Sequence, residues 1–314
     1  MAAKANNIRS PHLRAILQAL FVTFLWSTSW VLIKFGLDDI PALTFAGLRY
    51  TCAFLCLLPI LLRSHGLSTL RQLAPDTWKQ LLLLGVIYYA VTHGAQFISI
   101  AYLPAITANR ILGFTPVVVA LLGMVILSER PMPVQWLGIV VSIAGLIIFF
   151  YPVHLPMGQI IGLSVAVIGM LANAVSSIMG RSINRTRDLS PLLITTVSMG
   201  IGSMILLVSG ISLQGVPVLS AKSWLIIGWL AVANTAFAFT LWNHTLRTLA
   251  AVESSIINSA MSVQIPILAV IFLGERLNGR QWVGLVVSVI GVLVVQLARV
   301  WVSRARASTQ ARGG

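Results

Sequence analysis

A long internal repeat constrains the fold of this sequence more than any other feature. Residues 127–150, LSERPMPVQWLGIVVSIAGLIIFF, return as residues 273–296, LGERLNGRQWVGLVVSVIGVLVVQ. The register stays constant at 146 residues, which chance similarity between two apolar segments does not explain. The matched pairs are Glu129/Glu275, Arg130/Arg276, Gln135/Gln281, Trp136/Trp282, Gly138/Gly284, Ser142/Ser288 and Gly145/Gly291. Self-similarity at a fixed period indicates a duplicated structural unit.

The composition indicates that most of this chain lies in a lipid membrane. The chain is 58% hydrophobic and only 9% charged, against roughly 45–50% apolar and about 25% charged in soluble domains. A hydrocarbon core of about 30 Å needs about 20 apolar residues per helix. Ten such segments are predicted, at 15–35, 43–62, 79–101, 105–127, 134–151, 158–180, 191–211, 223–245, 253–273 and 282–301. The sequence therefore predicts an all-α integral membrane protein with ten transmembrane helices.

The basic residues predict the orientation of these helices. With the amino terminus in the cytoplasm, most of the 21 Lys and Arg residues fall at cytoplasmic ends and loops, the bias known for membrane proteins. Both termini are then cytoplasmic. Because each copy has five crossings, the halves are inverted: 1–152 contains helices 1–5, and 153–314 contains helices 6–10 with a basic cytoplasmic tail. Inverted repeats commonly build transporters whose site lies near the membrane midplane between the halves.

Several short motifs carry a resemblance to a known family. They are the WSTSW segment at 26–30, Leu48-Arg49-Tyr50, Pro116 ahead of Glu129-Arg130, and the Trp-x-Gly starts of helices 5 and 10. In these features the chain resembles the drug/metabolite transporter superfamily of the EamA type, and within it the YddG-type aromatic amino-acid exporters. The resemblance implies a multi-pass exporter of metabolites in the bacterial inner membrane. It also implies a central cavity among helices 1–4 and 6–9, with helices 5 and 10 packed outside.

One position departs from the symmetry of the repeat. Ser262 stands where the first copy has Pro116, and the proline of the second copy, Pro266, lies one turn later. We therefore do not expect a symmetric kink in helices 4 and 9.

Polar side chains inside membrane helices are the candidates for binding, because they are costly there unless they face a partner or water. Tyr89, His93 and Gln96 share one helical face, and Gln96 is the repeat mate of Trp242. On helix 1, Trp26 and Trp30 lie one turn apart, and helix 6 has Asn173 and Ser177 in comparable positions. An aromatic wall facing a polar wall would suit an amphipathic solute with a ring; packing or interhelical hydrogen bonding is the alternative. The candidate substrate-binding residues are Trp26, Trp30, Tyr89, His93, Gln96, Arg110, Asn173, Ser177, Asn234, Trp242, Asn258 and Gln264.

Two arginines and several turn and glycine positions complete the candidates. Arg49 and Arg110 lie roughly 8–10 Å below the external surface at 1.5 Å per residue, where a guanidinium fork could pair with a carboxylate or extend to headgroups. We predict a structural role for Arg49 and a substrate role for Arg110. Small residues let helix backbones approach closely, and turn carboxylates can accept from helix amides. The other predicted structural residues are Glu129, Arg130, Gly138, Gly145, Glu275, Arg276, Gly284 and Gly291.

The motifs that the sequence lacks narrow the function further. It contains no P-loop, zinc motif or nucleophile elbow, so we expect no enzyme activity, cofactor or metal. Its net charge of +14 is dispersed among short loops, which does not indicate a nucleic-acid partner. Cys52 and Cys56 lie in one apolar segment and are interpreted as packing residues.

These observations predict an exporter of amino acids, aromatic or otherwise hydrophobic, or of related small metabolites, working by alternating access. No acidic residue lies near the middle of a helix, which favours a facilitator; His93 or Glu253 would serve a proton-coupled mechanism. Two alternatives stay open: a multidrug or cationic-compound exporter of the same fold, and a non-transporting membrane scaffold or sensor. The expected partners are the small-molecule substrate and the lipid bilayer, and a monomer is compatible with the sequence.

Overall fold

The computed structural model describes residues 2–64, 70, 72–127, 132–151, 157–185, 189–245, 248–249, 254 and 257–312. These residues form helices and connecting turns, without a strand among them. The helices, numbered in chain order, are α1 (Ala2–Gly36), α2 (Ala42–Arg63), α3 (Pro75–Tyr102), α4 (Ala105–Leu112 and Thr115–Leu127), α5 (Pro133–Phe150), α6 (Met157–Arg185), α7 (Pro191–Gln214), α8 (Ala221–Ala231, Val232–Phe237 and Ala238–Thr245), α9 (Met261–Leu273) and α10 (Gly279–Arg312).

The predicted all-α membrane fold is confirmed. Within the described residues, nine helices are long and apolar enough to cross a membrane, and the tenth apolar helix, Ile257–Leu273, is shorter. The predicted and observed bounds agree for most spans. The largest differences are at three helix ends: α1 begins at Ala2 rather than near Ala15, α9 begins at Met261 rather than near residue 253, and α10 continues to Arg312 into the segment predicted as a tail.

The helices of the two halves interleave with a pseudo-twofold pattern. The first half supplies α1–α5 and the second α6–α10. Helix α1 packs on α8 and α9, and its counterpart α6 packs on α3 and α4. Helix α2 packs on α7 and α8, and α7 packs on α2 and α3. The remaining counterparts meet each other, α4 with α9 and α5 with α10. Much of the packing therefore joins one half to the other.

Helices α5 and α10 pack closely through the repeated small residues. A β-carbon built on Gly145 would lie 2.7 Å from the Cα of Ser288, and one built on Gly284 would lie 2.5 Å from the amide nitrogen of Phe149. The opposite faces of both helices carry exposed apolar side chains such as Leu137 and Val283. Because exposed apolar surface of this extent suits lipid rather than water, α5 and α10 form one flank of the bundle.

Helices α4 and α9 are interrupted at equivalent positions. Gly113 and Phe114 break α4, and Ala260 forms a turn immediately before α9; the repeat offset of 146 maps Phe114 onto Ala260. Both breaks precede the prolines, whose positions differ between the halves. Pro116 is the second residue of the new segment, where its missing amide costs nothing, while Pro266 lies inside α9.

Helices α3 and α8 each contain a widened π-helical segment, at Gly85–His93 and Val232–Phe237. Under the repeat offset the second segment maps onto residues 86–91, inside the first. In each, a threonine hydroxyl donates to the carbonyl five residues earlier: Thr92 to Ile87 at 2.9 Å, and Thr235 to Leu230 at 2.8 Å. Such segments are frequent at functional sites.

The α3–α4 turn is held by two charged side chains. Lys34 Nζ on α1 donates to the carbonyls of Ile100, at 2.7 Å, and Leu103, at 3.0 Å. The Glu275 carboxylate accepts from the amides of Ala105, at 2.5 Å, and Ile106, at 3.0 Å. The cation therefore lies at a helix carboxyl terminus and the carboxylate at a helix amino terminus, which complements both helix dipoles.

The structure describes only one of the other three turn residues that the sequence predicts to be structural. Arg276 is exposed beside Glu275. Glu129 and Arg130, their mates in the first repeat, lie outside the described residues, as do Glu253 and the predicted boundary between the halves at residue 152.

Candidate functional site between the two halves

Four rings from α2 and α3 form a buried cluster, which we call the tyrosine–histidine cluster: Tyr50, Tyr88, Tyr89 and His93. The His93 ring centroid lies 4.5 Å from Tyr50, 4.9 Å from Tyr88 and 5.7 Å from Tyr89. The π-helical part of α3 supplies three of the four rings. Of the predicted residues, Tyr89 and His93 are therefore brought together.

Gln96 adds an amide to this cluster. Its side-chain oxygen lies 3.1 Å from His93 Nδ1, so His93 donates through Nδ1 if that nitrogen carries the proton. The other ring nitrogen, Nε2, is buried and has no hydrogen-bond partner among the described residues. Because buried polar atoms are nearly always hydrogen-bonded, Nε2 is available to a ligand or a water molecule.

Arg49 brings a positive charge to the edge of the cluster. Its side chain is 5% exposed, and its guanidinium carbon lies 5.2 Å from the Tyr50 ring centroid and 6.0 Å from that of Phe97. Its one hydrogen bond to a described residue runs from Nε to Thr235 Oγ1 on α8, at 3.3 Å. Nη1 and Nη2, the fork that matches a carboxylate, make no hydrogen bond to the described part of the protein.

A second aromatic group lies between α1 and α8. The Trp26 ring centroid is 5.4 Å from Phe239 and 5.2 Å from Trp242. The Trp26 indole Nε1 is buried and without a partner in the described residues. Trp30, one turn away on α1, instead packs in the main apolar core with Tyr50 and Tyr89. The predicted wall of Trp26 and Trp30 is thus divided between two neighbouring clusters.

Polar contacts from α8 and α9 fasten α1 beside this second group. The Asn234 amide nitrogen, in the π-helical segment of α8, donates to the Leu25 carbonyl and to the hydroxyls of Thr28, at 3.1 Å, and Ser29, at 2.8 Å. On α9, the Gln264 side-chain oxygen accepts from Ser27 Oγ at 2.9 Å. Both predicted residues therefore lie between the halves.

Four predicted residues lie apart from the ring clusters. Arg110 is buried among α4, α9 and α10, and donates to Asn109, Ser262 and Ser288. Its described hydrogen-bond partners are not shared with Arg49. Asn173 donates to Thr115 at 3.4 Å. Ser177 is exposed and donates to its own helix backbone, and Asn258 is exposed.

Sequence reasoning missed three contributors to the site: Tyr50, Tyr88 and Thr235. Tyr50 follows Arg49 directly, and its place against His93 depends on how α2 and α3 pack. Tyr88 and Tyr89 are adjacent, and an α-helical reading puts adjacent residues on different faces; the widened turn lets both contact His93. The spacing of Tyr89, His93 and Gln96 at i, i+4 and i+7 was the available signal, and it predicted the helix face on which these side chains come together.

Among the described residues, this site has neither a group of metal-ligating side chains nor a carboxylate. Among them, no group of three or more His, Cys, Asp or Glu side chains could hold a metal ion. The four acidic residues that the structure describes lie at helix ends or in turns: Asp38, Asp39, Asp76 and Glu275. The described site thus presents rings, amides, hydroxyls and one cation, but no carboxylate.

A comparison with protein families places this architecture. The model of the EamA-like transporter family matches residues 13–151 and, a second time, residues 160–297. The chain belongs to the EamA-like transporter family. The two matched stretches run through α1–α5 and α6–α10, so the family's two repeated halves are the two halves described above.

Two relatives match this EamA-like transporter over most of its length. It is 27% identical over 298 residues to the uncharacterized inner membrane transporter YedA of Escherichia coli K12, covering 93% of this chain and 94% of that one. It is 23% identical to the uncharacterized transporter YyaM of Bacillus subtilis, covering 90% and 93%. A solved crystal structure matches with a TM-score of 0.66 at 20% identity, covering 91% of this chain and 99% of the other, and so shows the same fold. The protein is a multi-pass membrane transporter.

Proposed function

We propose that this EamA-like transporter exports amino acids with aromatic or other apolar side chains across the bacterial inner membrane, by alternating access between its two halves. The proposal depends on one observation: Arg49, whose side chain is only 5% exposed, lies beside the tyrosine–histidine cluster, and its Nη1–Nη2 fork has no carboxylate or hydrogen-bond partner among the described residues. A free amino acid carries a carboxylate next to its side chain. Arg49 can bind the carboxylate, and the rings of the cluster can hold the side chain.

Burial makes the charge of Arg49 consequential. A buried charge is costly unless it is paired, and ring faces and one hydroxyl compensate it only in part. The guanidinium lies within about 10 Å of His93, because the Tyr50 ring contacts both, at 5.2 Å and 4.5 Å. A substrate of amino-acid size can therefore reach the fork of Arg49 and the free Nε2 of His93 together. This substrate role adds to the scaffold role predicted for Arg49.

The second aromatic group gives the substrate a further apolar surface. Trp26 and Trp242 contact each other across the interface between α1 and α8, which belong to different halves. In alternating access the halves rock about a shared site, so contacts of this kind open on one side while they close on the other. The α5–α10 pair, with its close backbone packing, is the natural fixed flank.

The described residues favour a facilitator over a proton-coupled exporter. A proton-driven exporter of lipophilic cations uses a buried carboxylate that exchanges protons for substrate, and the described acids all lie at helix ends or turns. Arg49 also repels a cation, since two like charges in a low-dielectric site interact unfavourably. The same repulsion disfavours the multidrug-cation alternative.

The test is flux of labelled solutes through purified protein in liposomes, with and without a proton gradient. We expect phenylalanine and tryptophan to cross without a proton gradient, and a lipophilic cation to be excluded. Phenethylamine, which lacks only the carboxylate of phenylalanine, should cross at a much lower rate. Proton-driven flux of the lipophilic cation, without amino-acid flux, would overturn the proposal.

Single substitutions test which residues form the substrate site. Arg49→Gln should lower phenylalanine flux about 10- to 100-fold, because a hydrogen bond to a charged group contributes about 1.5–3 kcal/mol. Gln96→Ala and His93→Ala should also reduce flux while the protein stays in the membrane. Lys222→Gln is the matched control, since it removes an exposed charge at the start of α8, 4.0 Å from Asp39 in the α1–α2 connection. Unchanged phenylalanine flux in all three site variants would show that the substrate passes elsewhere.

A further inference from the structure

Thr235, in the π-helical segment of α8, joins Arg49 to the backbone of the other half of the transporter. The threonine is fully buried. Its Oγ1 accepts from Arg49 Nε at 3.3 Å and donates to the Leu230 carbonyl at 2.8 Å. A hydroxyl has a single proton to donate, so the bond to Leu230 leaves only lone pairs for Arg49. The hydroxyl is therefore held as an acceptor for this cation.

The widened turn of α8 sets the direction of this hydroxyl. In an ordinary α-helix a threonine hydroxyl donates to the carbonyl three or four residues earlier, as Thr240 of the same helix does to Ala236 at 2.8 Å. Thr235 instead donates to the carbonyl five residues earlier, because the segment Val232–Phe237 is π-helical. The bond to Arg49 therefore depends on a local backbone shape that Thr240 does not share.

The π-helical segment of α8 is also fastened to a second helix of the first half. Asn234 donates to three oxygens on α1, while the adjacent Thr235 accepts from Arg49 on α2. Two consecutive residues of the second half thus contact two helices of the first. The place of Thr235 relative to Arg49 is set where the halves meet.

The contacts of the Arg49 guanidinium leave one edge of it unused. A guanidinium has five N–H donors, one on Nε and four on the two Nη atoms. Thr235 takes the Nε donor, whereas Nη1 and Nη2 donate to no described residue. The rings of Tyr50 and Phe97 lie 5.2 Å and 6.0 Å from the guanidinium carbon. The Nη1–Nη2 edge is thus left for a carboxylate, in the bidentate geometry that a guanidinium favours.

We propose that Thr235 is a positioning residue for Arg49: it holds Nε from the second half, so that the Nη1–Nη2 edge stays directed at the substrate carboxylate. This inference rests on the proposed function, since it concerns how the same substrate is bound. Thr235 acts through Arg49 and does not itself bind the carboxylate. Because the two residues belong to different halves, their contact links the affinity for the carboxylate to the arrangement of the halves.

The test compares the transport kinetics of the wild type, Thr235→Val and Thr235→Ser in liposomes. Thr235→Val keeps the branched shape without the hydroxyl, and Thr235→Ser keeps the hydroxyl. We expect Thr235→Val to raise the KM for phenylalanine about 3- to 10-fold and to change Vmax less than about twofold, because binding of the carboxylate is weakened. Thr235→Ser should keep the wild-type KM. The low flux of phenethylamine should be the same in all three proteins, since this solute has no carboxylate.

The split between KM and Vmax separates positioning from a structural role. A purely structural role of Thr235 would reduce the amount of folded protein, which lowers Vmax and leaves KM unchanged. Thr240→Val is the matched control, because it removes a hydroxyl of the same helix whose described hydrogen bond does not involve Arg49. We expect this control to keep the wild-type KM. A wild-type KM in Thr235→Val, or an equal rise in Thr240→Val, would overturn the positioning role.

A double variant shows whether Thr235 acts through Arg49. Arg49→Gln/Thr235→Val should have the KM of Arg49→Gln alone; a further rise as large as that in Thr235→Val would contradict the inference. No phenylalanine flux through the wild type would overturn the proposed function and this role together. Phenylalanine flux that falls in Arg49→Gln but is unaffected in Thr235→Val would overturn the positioning role alone.

Thermal unfolding tests the contact between Arg49 and Thr235 without any substrate. The wild type, the two single variants and the double variant are compared in detergent. We expect the shift in midpoint of the double variant to be smaller than the sum of the two single shifts, because both single variants remove the same bond. Additive shifts would show that the two side chains do not interact in the protein. If Thr235→Val does not fold, Thr235→Ala, which also lacks the hydroxyl, takes its place in both experiments.

Discussion

The packing of α5 on α10 predicts a large effect from a single added methyl group at Gly145. A β-carbon at this position would lie 2.7 Å from the Cα of Ser288 and 2.8 Å from the carbonyl oxygen of Gly284, about 0.7 Å and 0.6 Å closer than ordinary contact at 3.4 Å. Both atoms belong to the backbone of α10 and cannot rotate away. In Gly145→Ala the two helices must therefore separate.

The magnitude follows from this separation. Overpacking typically costs about 1–3 kcal/mol, and a gap of 0.5–1 Å removes roughly a quarter to a half of each dispersion contact along the interface. We take the upper end, about 3 kcal/mol, because backbone opposes the new methyl group. Alanine recovers about 1 kcal/mol through its higher helix propensity. The net expectation is a loss of about 2 kcal/mol in the free energy of unfolding.

The assay is unfolding of the purified protein in mixed micelles, with Gly228→Ala as the matched control. Gly228 also lies within a helix, in α8, but a β-carbon there meets no atom within 4 Å. Gly228→Ala should be neutral or stabilise the protein by up to about 1 kcal/mol. If Gly145→Ala unfolds like the wild type, or if both variants lose the same stability, close backbone packing is not what holds α5 to α10.

Two further substitutions test contacts between the halves. Asn234→Leu keeps the branched side chain of four heavy atoms but removes the amide that donates to three oxygens on α1, and should lower the free energy of unfolding by about 1–3 kcal/mol; a loss below about 0.5 kcal/mol would mean that these bonds do not stabilise the fold. Glu275→Ala removes the acceptor of the first two amides of α4, and should cost about 1–2 kcal/mol, measured by thermal unfolding. Glu275→Gln should retain part of this stability, and equal losses in the two Glu275 variants would contradict the capping role.

Residue spacing along a helix predicted which side chains share a face, but not which other helix that face contacts. Tyr89, His93 and Gln96 lie at i, i+4 and i+7, and the structure brings them together. Its depth along helix 4 grouped Arg110 with the substrate-binding residues, whereas its described contacts lie toward α9 and α10. Spacing along one helix defines a face, but the neighbour of that face is set by other helices. Arg49 shows the same limit, since its partner Thr235 lies 186 residues away in the sequence.

The local backbone was also beyond the reach of the sequence. The breaks in α4 and α9 occur at equivalent positions although only one has a nearby proline, and the π-helical segments of α3 and α8 carry no common motif. These are small differences in backbone energy that tertiary packing decides.

The sequence by itself determined the large-scale features: helices in lipid, ten apolar segments and a duplicated unit. These depend on hydrophobicity, segment length and the repeat at 146 residues, which are properties of the chain alone. Only the tertiary structure decided which polar groups meet, because the two halves interleave and the contacts of Arg49, Asn234 and Glu275 join residues distant in sequence. Burial then gives these contacts their consequence: a charge without a carboxylate partner among the described residues, as at Arg49, is costly in the interior and so marks where the carboxylate of a substrate is expected to bind.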